Sequence, residues 1–165
     1  MRVVFSLLMD NTPGVLSRIA GLFTRRGYNI ESITAGVTAD PRYTRMTVVS
    51  NGDDDVLEQI EKQIRKLEDV KDIKRLPEDS SVYRELMMVK IRATAAQRES
   101  VHAVVQIFRA SIVDVAKSSL TIMLTGDQKK LDALLGLLEE YEILELARTG
   151  ITGLARGADD IKYLP

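Results

Sequence analysis

An α+β chain of two successive modules, each ordered strand, helix, strand, strand, helix, strand, follows from three observations. Apolar runs of strand length alternate with stretches whose apolar residues recur every three or four positions. A polar segment around Pro77–Val82 divides the chain near its middle, and the order of elements is the same on either side. The repeat is also visible residue by residue. Gly52-Asp53 and Gly126-Asp127 stand 74 positions apart, and at that offset Leu57 matches Leu131, Ile60 matches Leu134 and Ile64 matches Leu138.

Taken in order, Val3–Met9 reads as a buried strand. Pro13–Arg26 reads as a helix with Val15, Ile19, Leu22 and Phe23 on one face, Thr12 at the N-cap, Pro13 in the first helical position and Gly27 as the stop. Asn29–Val37 and Tyr43–Ser50 are strand-like, and the turn Ala39-Asp40-Pro41-Arg42 makes them a hairpin. A second helix over 54–67 turns Val56, Leu57, Ile60, Ile64 and Leu67 inward, and Val70–Leu76 closes the unit as a half-polar strand. Beyond the polar segment, Leu86–Ala93 is a strand with Met87, Val89 and Ile91 on one face. Arg98–Arg109 is a helix with Val101, Val104, Val105 and Phe108 inward, and Ile112–Ala116 and Leu120–Thr125 are strands. Asp127 caps a helix facing inward through Leu131, Leu134, Leu135 and Leu138, and Ile143–Arg148 is the last strand.

Each half therefore predicts a ferredoxin-like βαββαβ module, a four-stranded antiparallel sheet with two helices on one face. The expected boundaries are 1–76, a linker over 77–83, and 84–165 with a short tail from Gly157 to Pro165. In this topology Asn29–Val37 lies at a sheet edge. It is apolar enough to invite a partner strand, so a two-fold homodimer is expected.

Composition narrows the function. The 165 residues are 45% apolar and 28% charged with a net charge of −1, so no global field steers the chain to nucleic acid or membrane. There is no cysteine, which excludes disulfides and thiol chemistry and fits a reducing, cytoplasmic setting. A single histidine, His102, beside an apolar helical stripe reads as structural, leaving Cys/His zinc sites and Ser–His or Cys–His pairs without material. No phosphate-cradling Walker or GxGxxG loop occurs, and the N-terminus enters a strand pattern directly, as in a chain with neither signal peptide nor membrane span. An RNA-binding module of the same strand order would need stacking aromatics on its central strands. Phe5 and Tyr43 are all the first module offers there, and the second offers none.

The turn Asp10-Asn11-Thr12-Pro13-Gly14-Val15-Leu16 carries the strongest chemical suggestion. A strand that feeds a helix N-terminus exposes backbone N–H groups to a carboxylate or phosphate, and Gly14 lets a ligand approach the main chain. The same residues also make an ordinary helix start. Asn29 opens the edge strand, and pairing of two modules along that edge would bring it toward the Asn11–Gly14 turn of a second copy. Asparagine both donates and accepts, which suits an amino acid's two charged groups. Val15, Leu16 and Ile30 are apolar residues that either line a pocket for an aliphatic side chain or belong to the core. Arg18, Arg25 and Arg26 mark a solvated helix face or a contact for an acidic surface. Asp53-Asp54-Asp55 complements a helix N-terminus, and Met87-Met88 reads as core.

Asp10–Arg18 together with Gly27-Tyr28-Asn29-Ile30-Glu31-Ser32 resembles the start of the regulatory small subunits of acetohydroxyacid synthase (acetolactate synthase). The likeness continues through Arg45-Met46-Thr47, Leu57-Glu58-Gln59-Ile60, Arg84-Glu85-Leu86, Phe108-Arg109, Ala147-Arg148-Thr149-Gly150 and Gly153-Leu154-Ala155-Arg156-Gly157, which is essentially the whole chain. The resemblance implies an N-terminal ACT domain, the amino-acid-sensing form of this fold, and a chain without cofactor or catalytic residues. Its catalytic large-subunit partner would carry thiamine diphosphate, magnesium and FAD and condense pyruvate with pyruvate or 2-oxobutyrate on the way to the branched-chain amino acids. The small subunit would raise that activity and confer feedback inhibition by valine. Carried over residue by residue, the effector positions are Asn11, Gly14, Val15, Leu16, Asn29 and Ile30. Asp10 stands where the family often has Glu. A free-standing ACT sensor acting on a different enzyme is the alternative. An acyl-phosphate hydrolase on this fold would need an arginine in the first turn, and Asn11–Gly14 has none.

Overall fold

A computed structural model describes residues 1–158; the rest of the expected tail lies outside the described residues. The described residues divide into two compact units, Met1–Tyr83 with residues 151–158, and Arg84–Gly150.

In the first unit, β1 (Arg2–Asp10), α1 (Val15–Arg26), β2 (Asn29–Val37), β3 (Tyr43–Asn51), α2 (Asp54–Arg65) and β4 (Val70–Arg75) follow one another. The sheet order is β2-β3-β1-β4, all antiparallel, so β2 is an edge strand as expected. Alternation along β1 sends Phe5, Leu7 and Met9 toward the helices, where they bury with Ile19 and Phe23 of α1 and Leu57, Ile60 and Ile64 of α2. Tyr28 closes this core edge-to-face on Phe23, ring centres 6.2 Å apart. Gly27 ends α1 in the left-handed conformation at φ 67°, with its N–H donating to the Thr24 carbonyl and that of Tyr28 to Phe23. Asp53 caps α2 by accepting from the Val56 N–H at 2.9 Å.

The start of α1 differs from the sequence reading. The N-cap is Gly14, left-handed at φ 85°, rather than Thr12, and the helix begins at Val15 rather than Pro13. The chain leaving β1 is pinned to the β2–β3 turn, because Asn11 N–H donates to the Arg42 carbonyl at 2.7 Å. The turn therefore uses up Thr12 and Pro13, and only glycine enters the helix from positive φ without strain.

The opposite face of this sheet is not bare. A ninth strand, absent from the sequence reading, runs along Thr152–Ala155. Ile151 packs with Val4, Val49 and Leu76 in a small second core flanked by Tyr83 and Ala155. The segment after Gly150, expected with the second module, thus belongs by packing to the first. Its apolar partners are outward-facing residues of β1, β3 and the end of β4, which would otherwise meet water. The expected linker is likewise ordered: Glu78–Ser80 form a 3₁₀ turn, and Ser81 already begins β5 (Ser81–Arg92).

In the second unit, β5 is followed by α3 (Arg98–Phe108), β6 (Ser111–Val115), β7 (Ser119–Gly126), α4 (Gln128–Leu137) and β8 (Ile143–Arg148), in the sheet order β6-β7-β5-β8. Met87, Val89 and Ile91 meet Val101, Val105, Leu131, Leu134 and Leu138 in its core. Asp127 caps α4 through the Lys130 N–H at 2.9 Å. Met87 is fully buried, but its neighbour Met88 is 42% exposed because it points to the other face of the strand, so only half of that pair is core. His102 lies exposed on α3. Among the described residues no helix is long and apolar enough to cross a membrane.

Candidate functional site

The Asn11–Gly14 turn, the first turn of α1 and the far end of the β2–β3 hairpin meet at one end of the first sheet. Register explains why: Asp10 pairs Tyr43 and Val37 pairs Thr44, so the end of β1 and the end of β2 flank the same hairpin. Between them lies a cleft of about 260 Å³. Met9, Asn11, Val15 and Leu16 line one side, and Ala35, Val37, Thr44 and Met46 the other. Met46 and Met9 are fully buried and floor it; Leu16 stands 53% exposed at its rim. Such a volume suits a small amino acid rather than a drug-sized ligand, whose pockets run from roughly 300 to 1,000 Å³.

Asn11 is held in place from both sides of its residue. Its N–H donates to Arg42, and its side-chain Nδ2 donates to the Pro41 carbonyl at 2.9 Å, which turns the amide oxygen away from that turn. The turn receiving these bonds is itself braced. Arg42 bonds both oxygens of Asp40, and those hydrogen bonds hold the Asp40 carboxyl below the usual carboxylate range. The flanks are pinned by Lys71 on Asp10 at 2.9 Å, which raises the Lys71 amine, and by Arg18 on Asp69 at 2.6 Å. Arg18 is thereby a structural ion pair, while Arg25 and Arg26 remain on the solvent face.

The helix start in this cleft is unusual within the molecule. No side chain caps α1, and its first turn holds no acidic residue. The other helices are provided for: α2 and α4 by Asp53 and Asp127, and α3 by the 3₁₀ turn before it, where Thr94 and Gln97 form a capping box. No side-chain cap offsets the partial positive charge of this helix start, whose Val15 N–H turns back to the Thr12 carbonyl at 3.4 Å.

Asn29 and Ile30 do not join this cleft within one chain. They lie at the other end of β2, where Asn29 pairs Asn51, about 26 Å away at ~3.3 Å per residue. Asn29 is exposed, and Ile30 packs partly against the core. Sequence reading missed Met9, Ala35, Val37, Thr44 and Met46 as cleft residues. Counting register through the hairpin from Asp40 would have found all of them but Met9, which lies on β1. A larger cleft, about 330 Å³, opens between Arg2, Arg75, Glu78 and Tyr83, but Glu31 holds Arg2 at 2.7 Å and Glu61 holds Arg75 at 3.1 Å. Among the described residues no group of three His, Cys, Asp or Glu side chains gathers as a metal site would require.

A βαββαβ module with an open edge strand, an uncapped first helix and a cleft between them, followed by a second module of the same order, defines the class of ACT-containing regulatory chains. Residues 5–72 match the acetohydroxyacid synthase small-subunit-like ACT domain, and residues 84–157 match the small subunit of acetolactate synthase. The chain belongs to the acetolactate synthase small-subunit family. It is 49% identical over 156 residues to a probable acetolactate synthase small subunit of Methanothermobacter thermautotrophicus, covering 94% of this chain and 93% of the relative. It is 48% identical over 158 residues to the isozyme 3 small subunit of Escherichia coli, covering 95% and 97%. The crystal structure of the Thermotoga maritima acetolactate synthase small subunit superposes with a TM-score of 0.88 at 36% identity, covering 96% of this chain and 99% of that one.

Proposed function

We propose that this chain is a cytoplasmic, non-catalytic subunit that activates the acetolactate synthase large subunit and restrains it when valine binds. Valine sits in the Asn11–Val37 cleft, and a second copy of the chain completes the site. The single observation that carries this reading is the placement of the asparagines. Asn11, bonded to the β2–β3 turn, is level with the Val37 end of β2, and Asn29 is at its other end, so antiparallel pairing of two β2 edges about a two-fold axis brings Asn29 of one copy to the Val37 end of the other. Two equivalent sites then form at the seam. Valine's carboxylate faces the uncapped N-terminus of α1, its ammonium meets asparagine oxygens, and its isopropyl group rests on Met9 and Met46. The thiamine diphosphate, magnesium and FAD of the reaction belong to the catalytic partner, and this chain carries no cofactor. Valine regulates by favouring one arrangement of the dimer over another, since equal affinity for both shifts nothing.

The test is a melting series of the full chain against valine, leucine, isoleucine and serine. Ligand at a hundred times its dissociation constant stabilises by about 2.7 kcal/mol. Valine, and more weakly its branched relatives, is expected to raise the melting temperature with concentration while serine does not. Equal shifts for all four, or none for valine, overturn the assignment.

A further inference from the structure

The strap formed by Ile151–Arg156 is seated on the first sheet by contacts that are built rather than incidental. Thr34 and Thr47 face each other as register partners on β2 and β3. The Thr34 hydroxyl donates to the Ile151 carbonyl at 3.0 Å, and the Gly153 N–H donates to the Thr47 hydroxyl at 3.3 Å. Residues 151 and 153 present these groups on the same edge of an extended segment, so one threonine pair clamps both. Ile151, 2% exposed, plugs the apolar patch below. Gly153 is required by proximity: a Cβ there would stand 2.9 Å from Tyr83 Cδ1 and 3.2 Å from Leu76 Cδ1. The Arg156 N–H ties down the far end on the Ser80 carbonyl at 2.8 Å.

We propose that this strap is a coupling device: it senses the position of edge strand β2 and transmits it through Thr149–Ile151 to the second unit. The proposal rests on the effector reading above. Thr34 is the immediate neighbour of Ala35, which lines the cleft, and successive residues of a strand face opposite ways. A displacement of β2 as the cleft fills therefore moves the Thr34 hydroxyl against the strap. β2 is an edge strand whose one neighbour in the sheet is β3, so its outer side is open to a second copy, and Thr34 is where it grips the strap. The covalent path is short, since Ile151 follows Gly150, a left-handed glycine at φ 85°, at the point where the chain leaves the second unit.

The experiment uses the full chain, alone and reconstituted with its catalytic subunit, in three variants: Thr34→Val, Thr34→Ser and Gly153→Ala. Valine binding is measured by calorimetry, valine inhibition by acetolactate formation, and strap seating by hydrogen exchange of the 151–156 amides with and without valine. In the wild type, exchange in 151–156 is expected to change on valine binding. Thr34→Val is expected to bind valine with unchanged affinity yet need about fivefold or more valine for half-inhibition, within the usual span of allosteric couplings. Thr34→Ser, which keeps the hydroxyl, should behave as wild type. Wild-type inhibition in Thr34→Val with binding intact overturns the proposal, as does strap exchange indifferent to valine. If Gly153→Ala does not fold, Thr34→Val decides alone. Failure of the wild type to bind valine overturns the effector reading and the coupling with it, and calorimetry on the wild type distinguishes that case from failure of the strap.

Discussion

Replacing Gly14 by aspartate tests the effector site at its most exposed assumption, that a ligand carboxylate approaches the start of α1. Two costs separate in the structure. The first is conformational: Gly14 sits at φ 85°, and a non-glycine residue there costs roughly 1–2 kcal/mol. Its Cβ would lie 3.2 Å from the Arg18 Nη1, the far end of a flexible side chain that can give way. Against a typical domain stability of about 5–15 kcal/mol the chain still folds. The second cost is electrostatic. A carboxylate about 4 Å from the bound carboxylate, at an effective dielectric constant near 20, opposes binding by about 4 kcal/mol, close to a thousandfold. Gly14→Asn is the control, because asparagine tolerates positive φ and shares the shape without the charge. Calorimetric titration of both variants with valine, beside acetolactate formation by the reconstituted enzyme, gives the answer. Valine binding and inhibition should vanish in Gly14→Asp and weaken less in Gly14→Asn, while both still activate the catalytic subunit. Equal losses in the two variants would mean that shape or strain, not charge, governs the site, and unchanged affinity in Gly14→Asp would refute the placement of the carboxylate.

Three further outcomes follow. Ile151→Ala removes the plug from the small core beneath the strap and should cost about 2–5 kcal/mol of first-unit stability, read as a lower urea midpoint. Arg148 bonds both oxygens of the buried Glu85 at 3.0 and 3.1 Å and also Asp132. Arg148→Ala should therefore cost about 2–3 kcal/mol, discounted from the ~3–5 of a fully buried pair because Arg148 is 27% exposed, and adding Glu85→Ala should recover part of it. Burial and the nearby Glu78 carboxylate raise the Tyr83 phenol above its ordinary value of 10.0, and burial also raises Tyr141. Both groups are protonated in either state below pH 10, so their contribution is complete there and is lost as pH climbs through the raised folded values. Melting temperature should fall above pH 10, less steeply in Tyr83→Phe.

The fold was legible because each element announces itself locally. The stripes of α1 and α2, the aspartates before α2 and α4 and the glycine after α1 are short-range signals, and the structure keeps all of them. What could not be read was where distant segments meet. β1 is buried on both faces from Val4 to Met9, whereas along β5 from Leu86 onward buried residues alternate with half-buried or exposed ones. The sequence carries that difference in part: but for Ser6, β1 is apolar on both faces from Val3 to Met9, while β5 turns Lys90 and Arg92 outward, and it says that something covers the outer face of β1. It does not say what, and the cover comes from Ile151, almost the whole chain away. The cleft shows the same limit. Asn11, Val15 and Leu16 were visible in the turn, but Ala35 and Val37 reach it only through the register of the hairpin.

The two modules share a topology yet diverge at one point that bears on function, the passage from the first strand to the first helix. In the second module, Thr94 and Gln97 close a capping box at this passage, consuming the donors that an incoming anion would need. In the first module the same place holds Asn11, whose amide is anchored to Pro41, and Gly14, which brings no side chain at all. The second module thus closes this passage with its own side chains in the 3₁₀ turn before α3, and the first does not. The open one faces edge strand β2 across the cleft. A helix start capped by Gly14 gives up a few tenths of a kcal/mol against a Ser, Thr, Asp or Asn cap, and no described side chain makes up the difference. Its cost is offset only when something outside the chain supplies the acceptor, which is the condition a sensor must meet and a purely structural module need not.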